Sequence, residues 1–115
     1  MIVTEEQFRA DLQAKLLSLK GSVKSVIGSG RSGAIASVYA SHFLKIPWLP
    51  PTTVREIPEH LKPVLVIDTA VKTGATLRKL ANKVQGSFVS VAIYNEPPLL
   101  KFWYEFWGDT SHENL

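Results

Sequence analysis

The fold is decided by residues 64–76, which read VLVIDTAVKTGAT. The run begins with a continuous apolar stretch, Val64 to Ile67, of the kind that forms a strand buried on both faces of a parallel sheet. Asp68 ends this strand, and the turn 73–76 opens a helix whose apolar residues recur at helical spacing from Leu77 to Val84. A buried strand followed by a polar loop and a helix predicts one unit of a parallel α/β sheet.

The loop between this strand and this helix carries residue types that suit a ribose phosphate. The hydroxyls of Thr73 and Thr76, with the free amides of the turn, form a cradle for a 5′-phosphate. Asp68 can accept hydrogen bonds from the ribose hydroxyls. A purely structural interpretation competes with this one, because Asp68 is equally suited to cap a strand end and the two threonines to cap a helix. The loop alone leaves both interpretations open.

A second glycine-bearing loop lies upstream, at residues 28–33 (GSGRSG), between a predicted strand at 23–27 and a predicted helix at 34–44. Its glycines match the dinucleotide-binding fingerprint, but that site needs an acidic residue about 20 positions later. No Asp or Glu occurs between Gly33 and Glu56. The glycines instead allow backbone N–H groups to converge on an anion, and Arg31 adds a guanidinium fork suited to phosphate oxygens. Glycines that merely turn a corner would explain Gly33 but not Arg31.

The remaining elements complete a three-layer α/β fold with a mostly parallel sheet and helices on both faces. Thr4 and Gln7 fit a capping box at the start of an amphipathic helix that ends before Gly21. Residues 46–49 predict a short edge strand, because prolines surround them, and residues 88–94 predict the last strand. We expect one domain over residues 1–115. In such sheets ligands bind at the carboxyl ends of the strands, where both loops lie.

Composition and charge narrow the function classes. The chain has no cysteine, and its three histidines share no ligand spacing, so we expect no metal site built from protein side chains. We expect a cytoplasmic protein with no membrane-spanning segment, since no apolar run approaches the ~20 residues that such a helix needs. Residues 12–104 hold twelve Lys or Arg against four Asp or Glu. This excess suits a polyanionic ligand, either a nucleic acid or a phosphorylated small molecule; scattered solvated lysines are the plainer explanation.

Residues 64–76 resemble the signature of the type I phosphoribosyltransferases, which is an apolar strand, two acids, two apolar residues, one variable residue and Thr-Gly-x-Thr. Residues 29–33 are similar to the pyrophosphate loop of that family. The aromatic segment 103–107 (WYEFW) resembles the hood of its xanthine–guanine branch. The resemblance implies the type I phosphoribosyltransferase fold with a reduced hood, and segment 97–109 serving as that hood or as a dimer contact.

The resemblance also implies roles for individual residues. The 5′-phosphate of phosphoribosyl pyrophosphate (PRPP) would lie on Thr73, Gly74, Ala75 and Thr76, and the ribose hydroxyls on Asp68 and Thr69. The pyrophosphate would lie on Ser29, Gly30, Arg31, Ser32 and Gly33, and the nucleobase would stack on Trp103. Asp68 and Lys72 would be the catalytic residues. Mg²⁺ would arrive on PRPP, held mainly by the oxygens of the substrate and by water.

Three positions depart from the family pattern. Thr69 replaces the second acid, and Lys72 stands where purine-type members keep an aspartate. Glu96 stands where a lysine would bond the exocyclic oxygen of a purine, so a base with an amino group is favoured there. The connection 50–63 is also shorter than the usual mobile catalytic loop, although Arg55 and Lys62 could reach a pyrophosphate from it.

The predicted function is therefore transfer of a 5-phosphoribosyl group from PRPP to a nucleobase with release of pyrophosphate. The alternative is a non-catalytic module that binds PRPP or a nucleotide. Binding of single-stranded nucleic acid through the basic middle and the aromatic tail ranks last. We expect PRPP and a nucleobase as small-molecule partners, no membrane partner, no nucleic-acid partner and a homodimer.

Overall fold

The computed structural model describes residues 2–71, 73–95 and 101–106. Its strands are β1 (Ile2–Val3), β2 (Ser25–Gly28), β3 (Trp48–Leu49), β4 (Val64–Val71), β5 (Phe88–Asn95) and β6 (Lys101–Phe102). Its helices are α1 (Glu5–Leu16), α2 (Gly30–Leu44) and α3 (Ala75–Ala81), with 3₁₀ turns at Leu17–Leu19, Pro51–Glu56, Glu59–Leu61 and Trp103–Phe106. No helix in these described ranges is long and apolar enough to cross a bilayer.

A four-stranded sheet of order β3-β2-β4-β5 forms the centre of the fold, and every strand pair in it is parallel. The prediction of a mostly parallel sheet, with β3 at its edge, is confirmed. β2 ends at Gly28, opposite Ile67 of β4. Beyond that point β4 pairs, among the described residues, only with β5, through Asp68↔Ala92 and Ala70↔Tyr94. The end of β4 therefore projects past β2, beside the start of α2.

Helices cover both faces of this sheet, as predicted. One core cluster joins Phe8, Leu12 and Leu16 of α1 to Ala36 and Ala40 of α2 and to the strand residues facing them. A second cluster packs Leu77 and Ala81 of α3 on the opposite face, against Ile27, Val64 and Val66. The continuous apolar run 64–67 is buried because alternate residues of β4 enter different clusters.

Two boundaries around the predicted loops are corrected. β4 continues to Val71, so Asp68 lies within a paired strand and does not end it. Residues 28–33 are not a loop throughout, because α2 begins at Gly30 and not at Ala34. Gly30 adopts φ +67, a conformation that L side chains rarely adopt. The Gly33 N–H already donates to the Ser29 carbonyl at 2.9 Å, so the glycine-rich segment forms the first turn of α2.

The N-terminal helix confirms half of the predicted capping box. The Gln7 backbone N–H donates to Thr4 Oγ1 at 3.1 Å. The Gln7 side chain does not return to the Thr4 amide; its Nε2 donates to Asp11 Oδ1 at 2.9 Å, one helical turn ahead. Gly21 follows in the predicted left-handed conformation, with φ +80.

The connection after β3, which the sequence predicts as a polar segment, contributes two residues to the core. Val54, in the first 3₁₀ turn, and Ile57, between the two turns, are buried in the second core cluster. Lys62 is held at the amino-terminal edge of the sheet, where its side chain lies against Gly86 and its Nζ is 3.4 Å from Glu59 Oε2. The expectation that Lys62 could reach a pyrophosphate at the carboxyl edge is wrong for this reason.

Both termini of the described chain meet in a feature that the sequence pattern did not predict. β1 pairs in parallel with β6, with Ile2 opposite Lys101 and Val3 opposite Phe102. Val3 and Phe102 are buried in the same core cluster as α1 and α2. This two-stranded sheet fixes the segment that follows it, residues 103–106, close to the carboxyl edge of the main sheet.

Candidate functional site

Three adjoining cavities lie at the carboxyl ends of β2 and β4. The central cavity, of about 400 Å³, is lined by the start of α2, the end of β4 and the segment 102–105. The turn cavity, of about 80 Å³, lies between the end of β4 and the turn 73–76. The lysine cavity, of about 170 Å³, is lined by Gly28, Ser29, Gly30, Pro51, Thr76, Lys79, Leu80 and Lys83. The carboxyl edge of a parallel sheet is where α/β proteins bind ligands.

Asp68 lines both the central cavity and the turn cavity. The residue is 8% exposed, and its Oδ1 accepts the Thr69 backbone N–H at 2.7 Å. Within the described ranges its carboxylate forms no ion pair. Burial raises the pKa of Asp68 above its ordinary value, while hydrogen bonds from Thr69 partly oppose that rise. Asp68 is thus a buried acceptor between two cavities, with lone pairs available for hydroxyl donors.

The turn before α3 is open to solvent and is held by hydrogen bonds among its own residues and Arg78. Gly74 adopts φ +78, and the Ala75 N–H donates to Thr73 Oγ1 at 3.2 Å. Arg78 reaches back over this glycine, with Nη1 donating to the Thr73 carbonyl at 2.9 Å. A Cβ at Gly74 would lie 3.0 Å from that Nη1. Thr73, Gly74, Ala75 and Thr76 all line the turn cavity, and Lys72 lies outside the described residues.

The predicted pyrophosphate segment divides into two parts. Ser29, Gly30, Arg31 and Ser32 line the central cavity. Gly33 faces the sheet instead, because a Cβ there would lie 3.0 Å from the Ile67 carbonyl oxygen. Gly28 has even less room for a side chain, since an added Cβ would lie 2.0 Å from the Gly33 carbonyl oxygen. These two glycines allow the first turn of α2 to pack directly on the end of β2.

Trp103 does not line any of the three cavities. Its ring packs at centroid distances of 5.3 Å from Phe8 and 6.1 Å from Tyr39, among the residues of the α1–α2 core. From the same segment, Phe102 and Glu105 line the central cavity. The Glu105 carboxylate is oriented by the Phe102 backbone N–H, which donates to Oε2 at 2.6 Å. Base stacking by Trp103 stays a prediction that this packing does not favour.

Tyr104 connects the segment 103–106 to the end of β4. It is 2% exposed, and its hydroxyl donates to Thr69 Oγ1 at 3.4 Å. Burial raises the pKa of Tyr104, and contacts with Ser32 and Thr69 lower it in part. The phenol therefore keeps its proton at neutral pH and acts as a donor beside Thr69.

Glu105 and the two lysines of the lysine cavity were not among the sequence-predicted site residues. Lys79 and Lys83 are spaced i, i+4, so the sequence predicts that they lie together on the polar side of the helix. This spacing does not indicate which part of the protein they face. Only the folded arrangement, which places residues of α3 and of the start of α2 in the wall of one cavity, reveals this site. The sequence feature that could have pointed to Glu105 as a site residue was its position two residues after Trp103. Among the described residues, no group of three or more acids or histidines is placed to hold a metal ion.

Comparison with known proteins identifies the fold. No protein-family profile matches the chain, and no curated protein is significantly similar to it in sequence. Among solved structures, a Helicobacter pylori xanthine-guanine-hypoxanthine phosphoribosyltransferase matches with TM-score 0.74 and 18% identity, over 98% of this chain and 95% of that chain. A purine phosphoribosyltransferase from Pyrococcus horikoshii matches with TM-score 0.71 and 20% identity, over 90% of this chain and 92% of that chain.

A hypothetical protein from Neisseria gonorrhoeae with bound ppGpp matches with TM-score 0.66 and 14% identity, over 100% of this chain and 95% of that chain. The predicted α/β architecture and the resemblance to the xanthine–guanine and purine branch are therefore confirmed at the level of the fold.

Proposed function

We propose that this chain, which has the type I phosphoribosyltransferase fold, binds PRPP and transfers its 5-phosphoribosyl group to a nucleobase with release of pyrophosphate. One observation carries the proposal: Asp68 lines both the central cavity and the turn cavity. A pentose phosphate needs acceptors for its hydroxyls and, a few ångströms away, donors for its phosphate. The buried carboxylate and the open turn 73–76 supply these two chemistries from adjoining cavities.

Each part of the substrate has a matching group in the proposed site. The 5′-phosphate accepts hydrogen bonds from the hydroxyls and amides of Thr73 to Thr76. The ribose hydroxyls donate to Asp68, with Thr69 beside it. The pyrophosphate lies along Ser29, Gly30, Arg31 and Ser32, where Arg31 offers a bidentate donor pair. Gly33 acts indirectly in this proposal, by letting α2 start close to the sheet.

In the proposed reaction, the bond from the ribose C1 to the pyrophosphate oxygen breaks and a C1–N bond to the base forms. The electron pair of the broken bond leaves with pyrophosphate, and the proton displaced from the base nitrogen passes to solvent or to a basic group. Negative charge develops on the leaving group beside Arg31, so the guanidinium stabilises the transition state more than the ground state. Asp68 opposes the positive charge that develops on the sugar. Lys72 belongs to the same loop and is the second proposed catalytic residue.

Mg²⁺ enters this proposal as part of the substrate. It prefers oxygen ligands and keeps several waters, which fits a cavity that offers the carboxylates of Asp68 and Glu105 but no preformed group of three acidic or histidine ligands among the described residues. The metal would neutralise charge on the pyrophosphate. The residues of the chain would orient the sugar.

A second candidate function is a module that binds PRPP or a nucleotide without turnover. Two observations favour it. Thr69 replaces the second acid, and its hydroxyl is already engaged by Tyr104. In addition, a solved structure with a similar fold is that of a protein with bound ppGpp. A ribose-phosphate site serves both functions, so the two differ only in whether the C1–O bond is broken.

The decisive experiment mixes the protein with PRPP, Mg²⁺ and each of adenine, guanine, hypoxanthine, xanthine and uracil, and follows pyrophosphate release. We expect release with at least one base, abolished in Asp68→Asn and unchanged in Glu59→Gln, whose carboxylate lies at the opposite edge of the sheet. Binding of PRPP without release for every base would establish the non-catalytic module instead. No binding of PRPP would refute both functions.

A further inference from the structure

We propose that Lys79 and Lys83 form a second phosphate subsite, which takes a phosphate group that the ligand carries in addition to the one on the turn 73–76. This inference rests on the proposed ribose-phosphate site and extends it. The observation behind it is the lysine cavity, whose two lysines have no role in the proposed reaction.

The lysine cavity shares its walls with the other two cavities. Thr76 lines it as well as the turn cavity, and Ser29 and Gly30 line it as well as the central cavity. A ligand held by the turn and by the start of α2 therefore has the lysine cavity directly beside it. Its volume of about 170 Å³ is well above the ~10–15 Å³ that a cavity needs to hold one water molecule.

The two lysines are placed by α3 and by the turn that follows it. Residues four apart in a helix lie on the same face, and a backbone hydrogen bond from the Lys83 N–H to the Leu80 carbonyl at 3.0 Å continues the helical path past Ala81. Leu80 and Pro51, the first residue of a 3₁₀ turn, also line the cavity. Lys83 is half-buried, which limits the positions that its ammonium can take.

Charge is segregated between the cavities. The described residues that line the lysine cavity include two ammonium groups and no carboxylate. Neither Lys79 nor Lys83 forms an ion pair within the described part of the chain. The central cavity, in contrast, contains the carboxylates of Asp68 and Glu105 with one guanidinium, Arg31. A ligand with hydroxyls at one end and several phosphates at the other matches this polarity, whereas a ligand with a single phosphate leaves both lysines unused.

The ligand class is therefore a polyphosphorylated ribose derivative. The second phosphate has two chemical sources: the 1-pyrophosphate of PRPP, reached past Ser29 and Gly30, or the β-phosphate of a nucleoside 5′-diphosphate, reached past Thr76. Both ligands present the same kind of phosphate oxygen to the lysines. The affinities of PRPP and of the diphosphate for lysine variants distinguish the two sources.

The experiment is calorimetric titration of the wild-type protein and the variant Lys79→Gln/Lys83→Gln with ribose 5-phosphate, PRPP, a nucleoside 5′-monophosphate and the matching 5′-diphosphate. Glutamine keeps helix propensity and removes the charge. Lys79→Arg/Lys83→Arg keeps the charge, and Lys24→Gln removes an exposed lysine that precedes β2 at the other edge of the sheet. Circular dichroism checks that each variant is folded.

We expect the double glutamine variant to lose about tenfold or more in affinity for PRPP or for the diphosphate, and less than twofold for ribose 5-phosphate. The arginine variant and Lys24→Gln should bind like the wild type. A loss for PRPP alone assigns the subsite to the 1-pyrophosphate, and a loss for the diphosphate alone assigns it to the 5′-end. Equal losses for all ligands, or no loss for any, would overturn the subsite while leaving the ribose-phosphate site standing. Failure of ribose 5-phosphate to bind the wild type would refute the proposed function as well.

Discussion

The hydroxyl of Tyr104 donates to Oγ1 of Thr69 at 3.4 Å, which links the C-terminal segment to the residue beside Asp68. The link crosses 35 residues of sequence and is buried. Phe102 stacks on the Tyr104 ring with a centroid distance of 5.4 Å, and Phe102 itself belongs to the strand that pairs with β1. The two-stranded sheet of β1 and β6 is thereby coupled to the wall of the central cavity.

Removal of this hydroxyl tests the link. In Tyr104→Phe the ring packing is kept and the hydrogen bond to Thr69 is lost, so we expect the free energy of unfolding to fall by about 1 kcal/mol. Urea denaturation measures the change. Tyr39→Phe is the control, because the Tyr39 hydroxyl bonds Glu5 at an exposed position where water replaces the lost partner. If Tyr39→Phe lowers the free energy of unfolding as much as Tyr104→Phe does, the buried hydrogen bond of Tyr104 contributes no more to stability than the exposed one.

Asp68 should destabilise the folded chain at neutral pH, as expected of a buried acid that is retained for binding. Burial raises the pKa of Asp68, so the folded protein holds that proton to higher pH than the unfolded protein does. The contribution of Asp68 to the free energy of unfolding therefore falls as the pH rises. The fall begins near the ordinary pKa of aspartate, about 4, and continues through the raised pKa of the folded protein. Asp68→Asn should be more stable than the wild type at pH ~7, with the difference shrinking below pH ~4.

Denaturant unfolding of both proteins at these two pH values provides the measurement. An Asn variant that is less stable than the wild type at neutral pH would mean that the charged form of Asp68 is stabilised in the fold, by a partner other than Thr69.

Gly28 should be the least tolerant glycine in the site region. A Cβ at this position would lie 2.0 Å from the Gly33 carbonyl oxygen, so Gly28→Ala forces α2 away from the sheet. We expect a loss of about 3 kcal/mol or more in the free energy of unfolding. Gly21→Ala is the control, because Gly21 has φ +80 but no atom within 4 Å of the added carbon; strain alone should cost about 1 kcal/mol. Equal losses in thermal or urea unfolding would contradict the close approach of α2 to β2.

Trp103 provides a test between packing and base stacking. Because its ring lies against Phe8 and Tyr39, Trp103→Ala should lower the free energy of unfolding by on the order of 2–3 kcal/mol, somewhat less than a fully buried tryptophan costs. Affinity for a nucleoside monophosphate, measured by calorimetry on the folded variant, should change less than twofold. A large loss of nucleotide affinity without loss of stability would instead support Trp103 as the base platform.

The sequence was informative wherever local chemistry decides structure. The apolar run 64–67 predicted the buried strand, and the glycine at position 74 predicted the turn, because few other residues fit there. Thr4 was recognisable as an N-cap. The type I phosphoribosyltransferase fold followed from the combination of the 64–76 pattern with the upstream glycines, and the structural matches confirm it.

Other features depend on contacts between distant segments and had no local signal. β4 extends past Asp68 because β5 pairs with it as far as Asn95. The helix start at Gly30 depends on the close approach of two glycines, Gly28 and Gly33, to neighbouring backbone. The pairing of β1 with β6 joins residues about 100 positions apart, and two-residue strands carry no periodicity to detect. The packing of Trp103 against Phe8 and Tyr39 had no local signal either, because aromatic character alone does not distinguish a core ring from a stacking ring.

In the proposed site, Asp68 and the turn 73–76 hold opposite ends of one pentose phosphate. Titration of the ¹⁵N-labelled protein with ribose 5-phosphate, followed by amide chemical shifts, tests this arrangement. We predict that the amides of Thr69, Gly74, Ala75 and Thr76 shift together along one saturation curve, and that Asp68→Asn weakens all of these shifts in parallel. Shifts confined to one of the two segments, or an unchanged spectrum at saturating ligand, would contradict this arrangement.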